Sequence, residues 1–497
     1  MEVNKERASN NLRNKTVSGI AWTAVQKYST MIIQFVSGII LARLLTPYDY
    51  GCIGMLSIFM VLAEAFIDCG FGAALIQKKN PTQEDYSTIF YWNIAVSVLL
   101  YLALFFAAPF IAKFYNIPLL SKVLRIQGVI LFIYALNIIQ SNQLRKKMNF
   151  RLLSIVSITT AVISLTITII LAYNGAGVWA LVAQNIIMAA IPCLVYWFYV
   201  KWRPILTFSI RSFKELFEYG FYVFLSQLIN QFGQQIQGLL IGKMYSPTTM
   251  GYYSKAMSTE NMASKSVSQI MTQVTFPLYA NVQDDLTVLS KVIKRVTMSI
   301  AYVTFPVLTI LIILAKPLFL LLYSDRWLPC VPYFQVLCVS GFARCLLSAN
   351  LQAITAIGKS KIHFYWTIIR RGVGVGFIIG GMFIYGIKGL LIGVVLSEFF
   401  SYFVNAGLVS RFIGYKWWDQ IKSILPILIV SIVAAGLCYL LGLLLNLSIY
   451  HDAMLKLFFF LTIYLGWSIL FKPESYNYLR NTIEPMLSKI KKINKHV

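Results

Sequence analysis

Charged residues are scarce in this sequence, and acidic residues are fewer than basic ones. Only 12% of the 497 residues are charged, with 18 Asp and Glu against 43 Lys and Arg. Hydrophobic residues make up 58% and the mean hydropathy is +0.70, which would leave a soluble domain with one continuous apolar surface. Apolar runs of about 20 residues recur, each long enough to cross a bilayer. The composition excludes a soluble protein and predicts an all-α polytopic membrane protein.

The sequence also lacks the usual signatures of enzymes. It has no P-loop, no HExxH and no GxSxG, and only three His. The seven cysteines stand singly in or beside apolar runs, with no CxxC pair or Cys/His cluster, so we expect small buried residues rather than metal ligands. Membrane glycosyltransferases and polymerases usually present acidic motifs or large outer loops, which are also missing. We expect no enzyme activity, no metal and no cofactor.

The excess of basic residues predicts membrane orientation rather than nucleic-acid binding. The net charge is +25, but the basic residues are dispersed among short loops. With fourteen spans, 28 of the 43 Lys and Arg fall on the face of both termini and ten on the other, so both termini are expected in the cytoplasm. The predicted spans are about 17–45, 50–77, 86–112, 120–143, 150–173, 177–200, 212–244, 251–282, 291–323, 331–357, 362–386, 388–412, 423–446 and 453–471.

A motif at the end of the first span returns 200 residues later. Gln34, Gly38, Arg43, Thr46, Pro47 and Gly51 match Gln234, Gly238, Lys243, Ser246, Pro247 and Gly251. In each copy we expect the first glycine to permit close packing, the Thr/Ser-Pro pair to break the helix and the last glycine to free the turn. Six spans separate the copies, which predicts two like-oriented six-helix lobes, 1–210 and 211–420, with a pathway between them. Residues 421–497 would add a two-helix hairpin and a basic cytoplasmic tail.

The first helix of each predicted lobe carries a polar stripe. In span seven the stripe shares one helical face, and the matching positions of span one are also largely polar. Such a stripe is typical either of a wet cavity or of inter-helix hydrogen bonds in a closed bundle, and we favour the cavity. The stripes are Gln227, Asn230, Gln231, Gln234 and Gln237 in span seven, and Lys27, Thr30, Met31, Gln34 and Ser37 in span one.

Glu64 and Asp68 lie one turn apart on span two. Two close carboxylates can share a proton, which would suit ion coupling. A salt bridge to Lys27 or the capping of a neighbouring helix is an equally good interpretation. Two further acids, Glu260 and Glu398, lie alone in the spans and are weaker candidates, and Glu260 could pair with Lys265.

Three arginines lie inside predicted spans, where a charge usually faces a cavity or a partner. Arg344 has no acid near it in sequence, and its planar fork of donors suits a phosphate, although a structural ion pair would also explain it. Arg370 and Arg371 could bind substrate or extend to the cytoplasmic surface. The following Gly372, Gly376 and Gly380 predict a ridge of close helix packing.

Three segments resemble the Wzx-type polysaccharide flippases. These belong to the polysaccharide transporter branch of the MOP superfamily, which also holds the MATE multidrug exporters and the lipid II flippase. The segments are residues 38–51 at the first turn, 71–77 closing span two, and the basic loop 144–151, which is similar to that of the colanic-acid and teichuronic-acid exporters. The resemblance implies a MATE-like fold of twelve core helices plus two.

The resemblance also implies a function. Members of this family are thought to carry polyprenyl-diphosphate-linked oligosaccharide across the bacterial cytoplasmic membrane by alternating access, several of them driven by ion gradients. A polysaccharide polymerase or other envelope assembly proteins would be the partners. A MATE-like drug or metabolite antiporter, a membrane glycosyltransferase or polymerase, and a non-transporting scaffold stay as alternatives. The five basic and four acidic residues inside the spans favour an anionic cargo over a cationic one.

We therefore assign candidate roles by charge and position. Arg344, Arg370, Arg371 and Lys27 would bind the diphosphate, and the polar stripes would contact the sugars. Glu64 and Asp68 are the candidates for ion coupling.

Overall fold

A computed structural model describes the backbone of residues 2–280, 282–445, 447–478 and 480, and the side chains of these residues except 2–17, 20, 265–277, 280, 360–361 and 363–364. Within this part of the chain there are sixteen α-helices, one short 3-10 helix and no β-strand. The helices are α1 (Glu2–Leu44), α2 (Pro47–Asp68), α3 (Phe71–Gln77), α4 (Gln83–Tyr115), α5 (Leu119–Gln127), α6 (Ile130–Lys146), α7 (Phe150–Tyr173), α8 (Val178–Tyr199), α9 (Ile210–Met244), α10 (Pro247–Ala280), α11 (Leu286–Ile313), α12 (Ala315–Leu322), α13 (Cys330–Ala356), α14 (Ser360–Ile413), α15 (Trp417–Leu445) and α16 (Ile449–Phe471).

The chain divides into two compact units, Met1–Ser254 and Lys255–Val497. The first unit holds α1 to α9 and the start of α10, and the second holds the rest of α10 and α11 to α16. The lobe boundaries at 210 and 420, which come from the sequence repeat, stay predictions. The predicted basic tail falls mostly on residues 481–497, outside the described part of the chain.

Eleven helices in the described chain are long and apolar enough to cross a membrane. One of these stretches, Tyr365–Ile413, is two helices joined at a kink, because Tyr385 and Gly386 have non-helical dihedral angles. The kink falls where the sequence places the boundary between spans eleven and twelve. Helices α9 and α10 are as long as the others but are not among the eleven. The all-α multi-pass architecture is confirmed, whereas the count of fourteen spans stays a prediction.

The predicted break between the first two helices has a local chemical cause. Thr46 is the N-cap of α2 in a capping box: its backbone N–H donates to Asp49, 2.9 Å from Oδ2, and its hydroxyl accepts from the Asp49 amide. Pro47 follows at the first helical position, where its missing N–H costs nothing. The predicted role of Gly51 in the turn is wrong, because this residue lies inside α2.

Predicted span two, 50–77, is interrupted near its end. Cys69 (φ 44°) and Gly70 (φ 75°) both adopt the left-handed conformation, which ends α2 and starts the short α3. A Cβ atom on Gly70 would lie 2.2 Å from the carbonyl oxygen of Gly220 on α9. Glycine is therefore required here both by the backbone dihedral angles and by the close approach of a second helix.

The predicted glycine ridge of α14 is on the wrong face. Cβ atoms added to Gly372, Gly376 and Gly380 would meet nothing within 4 Å. The close approach is made instead by Gly381 and Gly389, where an added Cβ would lie 2.2 and 1.9 Å from the carbonyl oxygen of the other residue. The two halves of α14 fold back against each other through this contact.

Candidate functional site

The two copies of the repeat motif contact each other directly. A Cβ atom on Gly51 would lie 1.8 Å from the carbonyl oxygen of Pro247, and one on Gly251 would lie 1.8 Å from that of Pro47. The first turns of α2 and α10 thus pack backbone against backbone, in a reciprocal contact of the kind that a two-fold relation produces. Close approach, rather than turn flexibility, explains why both positions are glycine.

Two other repeat positions, Gly238 and Lys243, make structural contacts as well. The glycine at 238 packs against Met250, whose Cε would lie 2.9 Å from an added Cβ, and Gly38 is partly buried. Lys243 donates to the carbonyl oxygen of Phe114 at 2.7 Å, near the end of α4. Arg43 is exposed at the end of α1.

The polar stripe of α9 divides into residues with different surroundings. The buried Gln237 accepts a hydrogen bond from Tyr253 on α10, and Asn230 donates to the carbonyl oxygen of Ser226 in its own helix at 2.9 Å. Gln227 and Gln234 are exposed and Gln231 is partly exposed. Part of the stripe therefore forms hydrogen bonds between or within helices, which was the alternative to a wet cavity.

The matching stripe of α1 is also mixed. Lys27 is partly buried, Gln34 is exposed and Ser37 is buried. The Ser37 hydroxyl accepts from Gln184 on α8 at 3.4 Å. The ion pairs of the described chain do not include Lys27.

The first unit contains a polar cavity of about 670 Å³. Helices α1, α2, α6 and α9 contribute to its lining, and a coupling candidate and a sugar-contact candidate both reach it. The predicted residues Lys27, Gln34 and Glu64 are not among the described residues that line it. Its polar lining includes Gln26, Asp68, Tyr134, Asn137, Arg145 and Gln227.

Asp68 has two surroundings in this cavity. Its Oδ1 accepts from the amide of Gly72 at 3.1 Å, so it caps the first turn of α3, as the capping interpretation expected. The same carboxylate lies within electrostatic range of Arg145. No ion pair in the described chain joins Glu64 or Asp68 to Lys27. Sequence reasoning missed Arg145, although it singled out the basic loop that contains it.

The second unit contains a buried charged cluster centred on Arg344 of α13. Its Nη1 lies 2.8 Å from Oε2 of Glu260 on α10, and its Nε lies 3.6 Å from Oε1 of Glu398 on α14. Its Nη2 donates to the hydroxyl of Ser340 at 3.0 Å, one turn away on the same helix. The Glu260 side chain is 0% exposed and that of Arg344 20%. The structural ion pair that the sequence left open is therefore present.

The possible pairing of Glu260 with Lys265 falls on a side chain outside the described residues. The carboxylate of Glu260 meets an arginine 84 residues away, and its Oε1 has no hydrogen-bond partner among the described atoms. Sequence spacing gives no sign of a pairing between distant helices. The only available signal was the small number of acids inside the spans.

Arg370 and Arg371 extend the cluster from the first half of α14, whose second half carries Glu398. Arg370 is only 5% exposed, and its Nε and Nη1 have no hydrogen-bond partner among the described atoms. Glu398 lies within electrostatic range of both arginines, and Arg344 within range of Arg371. The described cluster thus contains three arginines and two glutamates, an excess of one positive charge. An arrangement with spare N–H donors suits an oxyanion such as a phosphate.

Comparison with known proteins places this chain in a family. A model of polysaccharide biosynthesis proteins matches residues 40–332, more than half of the chain. The teichuronic acid biosynthesis protein TuaB of Bacillus subtilis is 28% identical, over 71% of this chain and 74% of its own length. The lipopolysaccharide biosynthesis protein WzxC of Escherichia coli is 22% identical over 84% and 87%.

Solved structures with the same fold are transporters. The lipid II flippase MurJ in an inward closed conformation gives a TM-score of 0.71 at 15% identity, covering 91% of this chain and 98% of that chain. An inward-facing MATE family transporter of the MOP superfamily gives 0.60 at 16% identity, covering 82% and 98%. The predicted family resemblance is confirmed, and the enzyme alternatives lose support. The chain is a multi-pass membrane protein with the fold shared by MurJ and the MATE transporters, and it belongs to the polysaccharide biosynthesis protein family.

Proposed function

We propose that this protein is a flippase that moves polyprenyl-diphosphate-linked oligosaccharide from the cytoplasmic to the outer leaflet of the bacterial cytoplasmic membrane. Family membership and the names of the relatives support this proposal: one is named for teichuronic acid, one for lipopolysaccharide, and ExoT of Rhizobium meliloti for succinoglycan transport. Both termini would lie in the cytoplasm, as the distribution of basic residues predicts. A polysaccharide polymerase would receive the product.

The observation that carries the proposal is the positive excess around Arg370. This side chain is buried, remains charged, and has two N–H donors with no partner among the described atoms. A diphosphate supplies oxyanions for such donors, whereas a cationic drug would be repelled by them. In this assignment Arg370 and Arg371 contact the diphosphate. Arg344 positions the cluster through its ion pairs, and its own donors are already shared between Glu260, Glu398 and Ser340.

The polar cavity of the first unit would serve the glycan and the coupling ion. Gln227 lines it, so its amide can exchange water for sugar hydroxyls without leaving a polar group unsatisfied. Asp68 lines the same cavity and is our candidate for ion coupling, with Glu64 on the same helix as the second. Gln34, Gln234 and Lys27 stay candidates for contact with substrate in another state of the transport cycle.

The test is transport by the purified protein in vesicles. A fluorescent lipid-linked oligosaccharide is placed in one leaflet, and its arrival in the other is measured with an impermeant glycosidase. We expect movement with no covalent change of the substrate, a loss of most activity for Arg370→Ala, and partial rescue by Arg370→Lys. Arg411→Ala is the matched control, because Arg411 is an exposed arginine on the same helix.

Two outcomes would contradict the proposal. Covalent change of the lipid-linked sugar would indicate an enzyme. Transport of an organic cation but not of the glycan would favour a MATE-like exporter, which the names of the sequence relatives support less than a flippase.

A further inference from the structure

The first unit has a second pocket, of about 460 Å³, where helices end at one face of the membrane. Its walls come from the α3–α4 loop, the first turns of α4, the end of α6 and the segment after α8. No acidic residue is among the described residues that line it. The pocket is lined by Lys79, Tyr86, Gln143, Lys146, Lys147 and Trp202, together with Asn80, Pro81 and Gln83.

One of the three lysines of the pocket, Lys146, has a structural role. Lys146 donates to the carbonyl oxygen of Leu75 at 3.0 Å, to that of Ile76 at 3.5 Å, and to that of Lys78. It therefore closes the C-terminal end of α3, where a cation is favourable. The contact fixes the position of the basic loop relative to α3 and holds the pocket open between them.

Two acids of this region, Asp85 and Glu215, are paired with Lys78. The side chain of Asp85 is 1% exposed and lies 3.0 Å from the ammonium of Lys78, which also meets Glu215 at 3.1 Å. Burial alone would lower the pKa of Lys78, but the hydrogen bonds to these two carboxylates raise it above its ordinary value. The positive field of the pocket is thus not cancelled by a free carboxylate among its lining residues.

Two lining side chains, Gln143 and Trp202, carry buried donors with no partner among the described atoms. Gln143 is 6% exposed, and its Nε2 has no hydrogen-bond partner among the described atoms. The indole N–H of Trp202 is likewise unpartnered, and its ring lies edge-on to Tyr86 with centroids 6.1 Å apart. Lys79 and Lys147 are exposed at the rim. Buried donors beside two cations and two aromatic rings fit an anionic group carried on a polar head.

We propose that this pocket binds the phosphate of an anionic lipid head at the membrane surface. Lys79 and Lys147 contact the phosphate oxygens, Gln143 donates to them from the floor, and Trp202 and Tyr86 pack against the rest of the head. The same chemistry has two sources, a resident phospholipid such as phosphatidylglycerol or the diphosphate of an arriving lipid-linked substrate. None of the described residues that line the pocket belongs to the arginine cluster of the second unit, and lipid binding to the pocket can be measured without transport.

The experiment measures lipid binding by the full-length protein. Nanodiscs of phosphatidylcholine are titrated with phosphatidylglycerol, and retained lipid is counted by native mass spectrometry. Lys79→Ala and Lys147→Ala should each weaken retention about fivefold, the effect of one cation near an anionic lipid surface, and the double variant about 25-fold. Gln143→Leu should also weaken it, although it changes no charge. Lys214→Ala is the matched control, an exposed lysine of the same unit outside the pocket.

A second arm identifies the source of the phosphate. A short-chain polyprenyl diphosphate is added as competitor, with the uncharged polyprenol as control. Displacement of phosphatidylglycerol by the diphosphate alone, with a raised transport KM in the lysine variants, assigns the pocket to substrate capture. Retention of phosphatidylglycerol, with unchanged KM, assigns it to a structural lipid.

The proposal is overturned if Lys214→Ala weakens retention as much as the pocket variants, because binding is then a general surface effect. It is also overturned if Gln143→Leu and both lysine variants retain phosphatidylglycerol like the unmodified protein. All of the substituted lysines are exposed, so the variants should fold, and Lys79→Gln with Lys147→Gln provides a milder pair.

Discussion

The ion pair of Arg344 and Glu260 predicts an asymmetric loss of stability. Arg344→Met leaves the 0% exposed carboxylate of Glu260 without its partner at 2.8 Å, and an uncompensated buried charge costs about 3–5 kcal/mol. Glu260→Leu should cost less, because Arg344 keeps Glu398 at 3.6 Å and Ser340 at 3.0 Å. The double variant should regain most of the lost stability, since two apolar side chains then replace the pair.

The seven cysteines allow the unfolding of the protein to be measured. All of them are unpaired and buried, so a dye that fluoresces on reaction with thiols reports the unfolding of the detergent-solubilised protein. Melting curves of the unmodified protein, the two single variants and the double variant complete a double-mutant cycle. The unmodified protein and the double variant should have the highest melting temperatures. Glu260→Leu should melt at a lower temperature, and Arg344→Met at the lowest.

Additive losses in the double variant would refute the argument, because residues that stabilise each other must show a coupling energy. Unchanged stability of Arg344→Met would refute it as well. The transport activity of the double variant distinguishes two roles of Arg344. A double variant that is stable and active shows that Arg344 acts through its ion pair, and one that is stable but inactive places Arg344 in contact with substrate.

Three further predictions concern the first unit. Gly51→Ala should abolish folded protein, at a cost of more than about 3 kcal/mol, because the added Cβ would lie 1.8 Å from the backbone oxygen of Pro247. The control Gly376→Ala, whose Cβ would meet nothing within 4 Å, should leave the yield of folded protein unchanged. Equal yields of the two variants would contradict the packing argument. Lys146→Met should lower the free energy of unfolding by about 1–2 kcal/mol, because the end of α3 loses its cation; an unchanged melting curve would contradict this. Asp68→Asn should keep the fold but remove the response of transport to an imposed ion gradient, measured in vesicles; an unaltered response would exclude Asp68 from coupling.

The helices themselves could be predicted closely from the sequence. Helix α7 covers the predicted span 150–173, and α9 begins within two residues of its predicted start. Long apolar runs and Thr-Pro or Ser-Pro breaks are local signals, and local signals suffice to set the ends of a helix. The break at Cys69 and Gly70 was missed, and the close approach of the α9 backbone to Gly70 has no local pattern in the sequence.

The site was harder to predict for the same reason. The sequence identified Arg344, Arg370 and Asp68 as charges in an apolar layer, and this follows from the energetics of burial alone. It could not show that Arg344 meets Glu260 and Glu398, because those partners stand on other helices at no fixed spacing. The prediction of the glycine ridge was wrong for a similar reason. Glycine at every fourth residue shows that one helix face lacks side chains, but not whether another helix lies against that face.

The charge balance of the second unit bears on how a flippase could bind and then release its cargo. Arginine keeps its proton even in an apolar setting, so the described excess of three arginines over two glutamates cannot be removed by titration of a base. A buried excess charge is costly unless an anion joins it. A diphosphate that enters the cluster removes this cost, and one that leaves restores it, so the arginines favour the loaded state. Release then needs a competing partner for Arg370, and Glu398, which lies within electrostatic range of it, is a described candidate. In this mechanism Glu398→Gln should trap the diphosphate, raising affinity while slowing turnover.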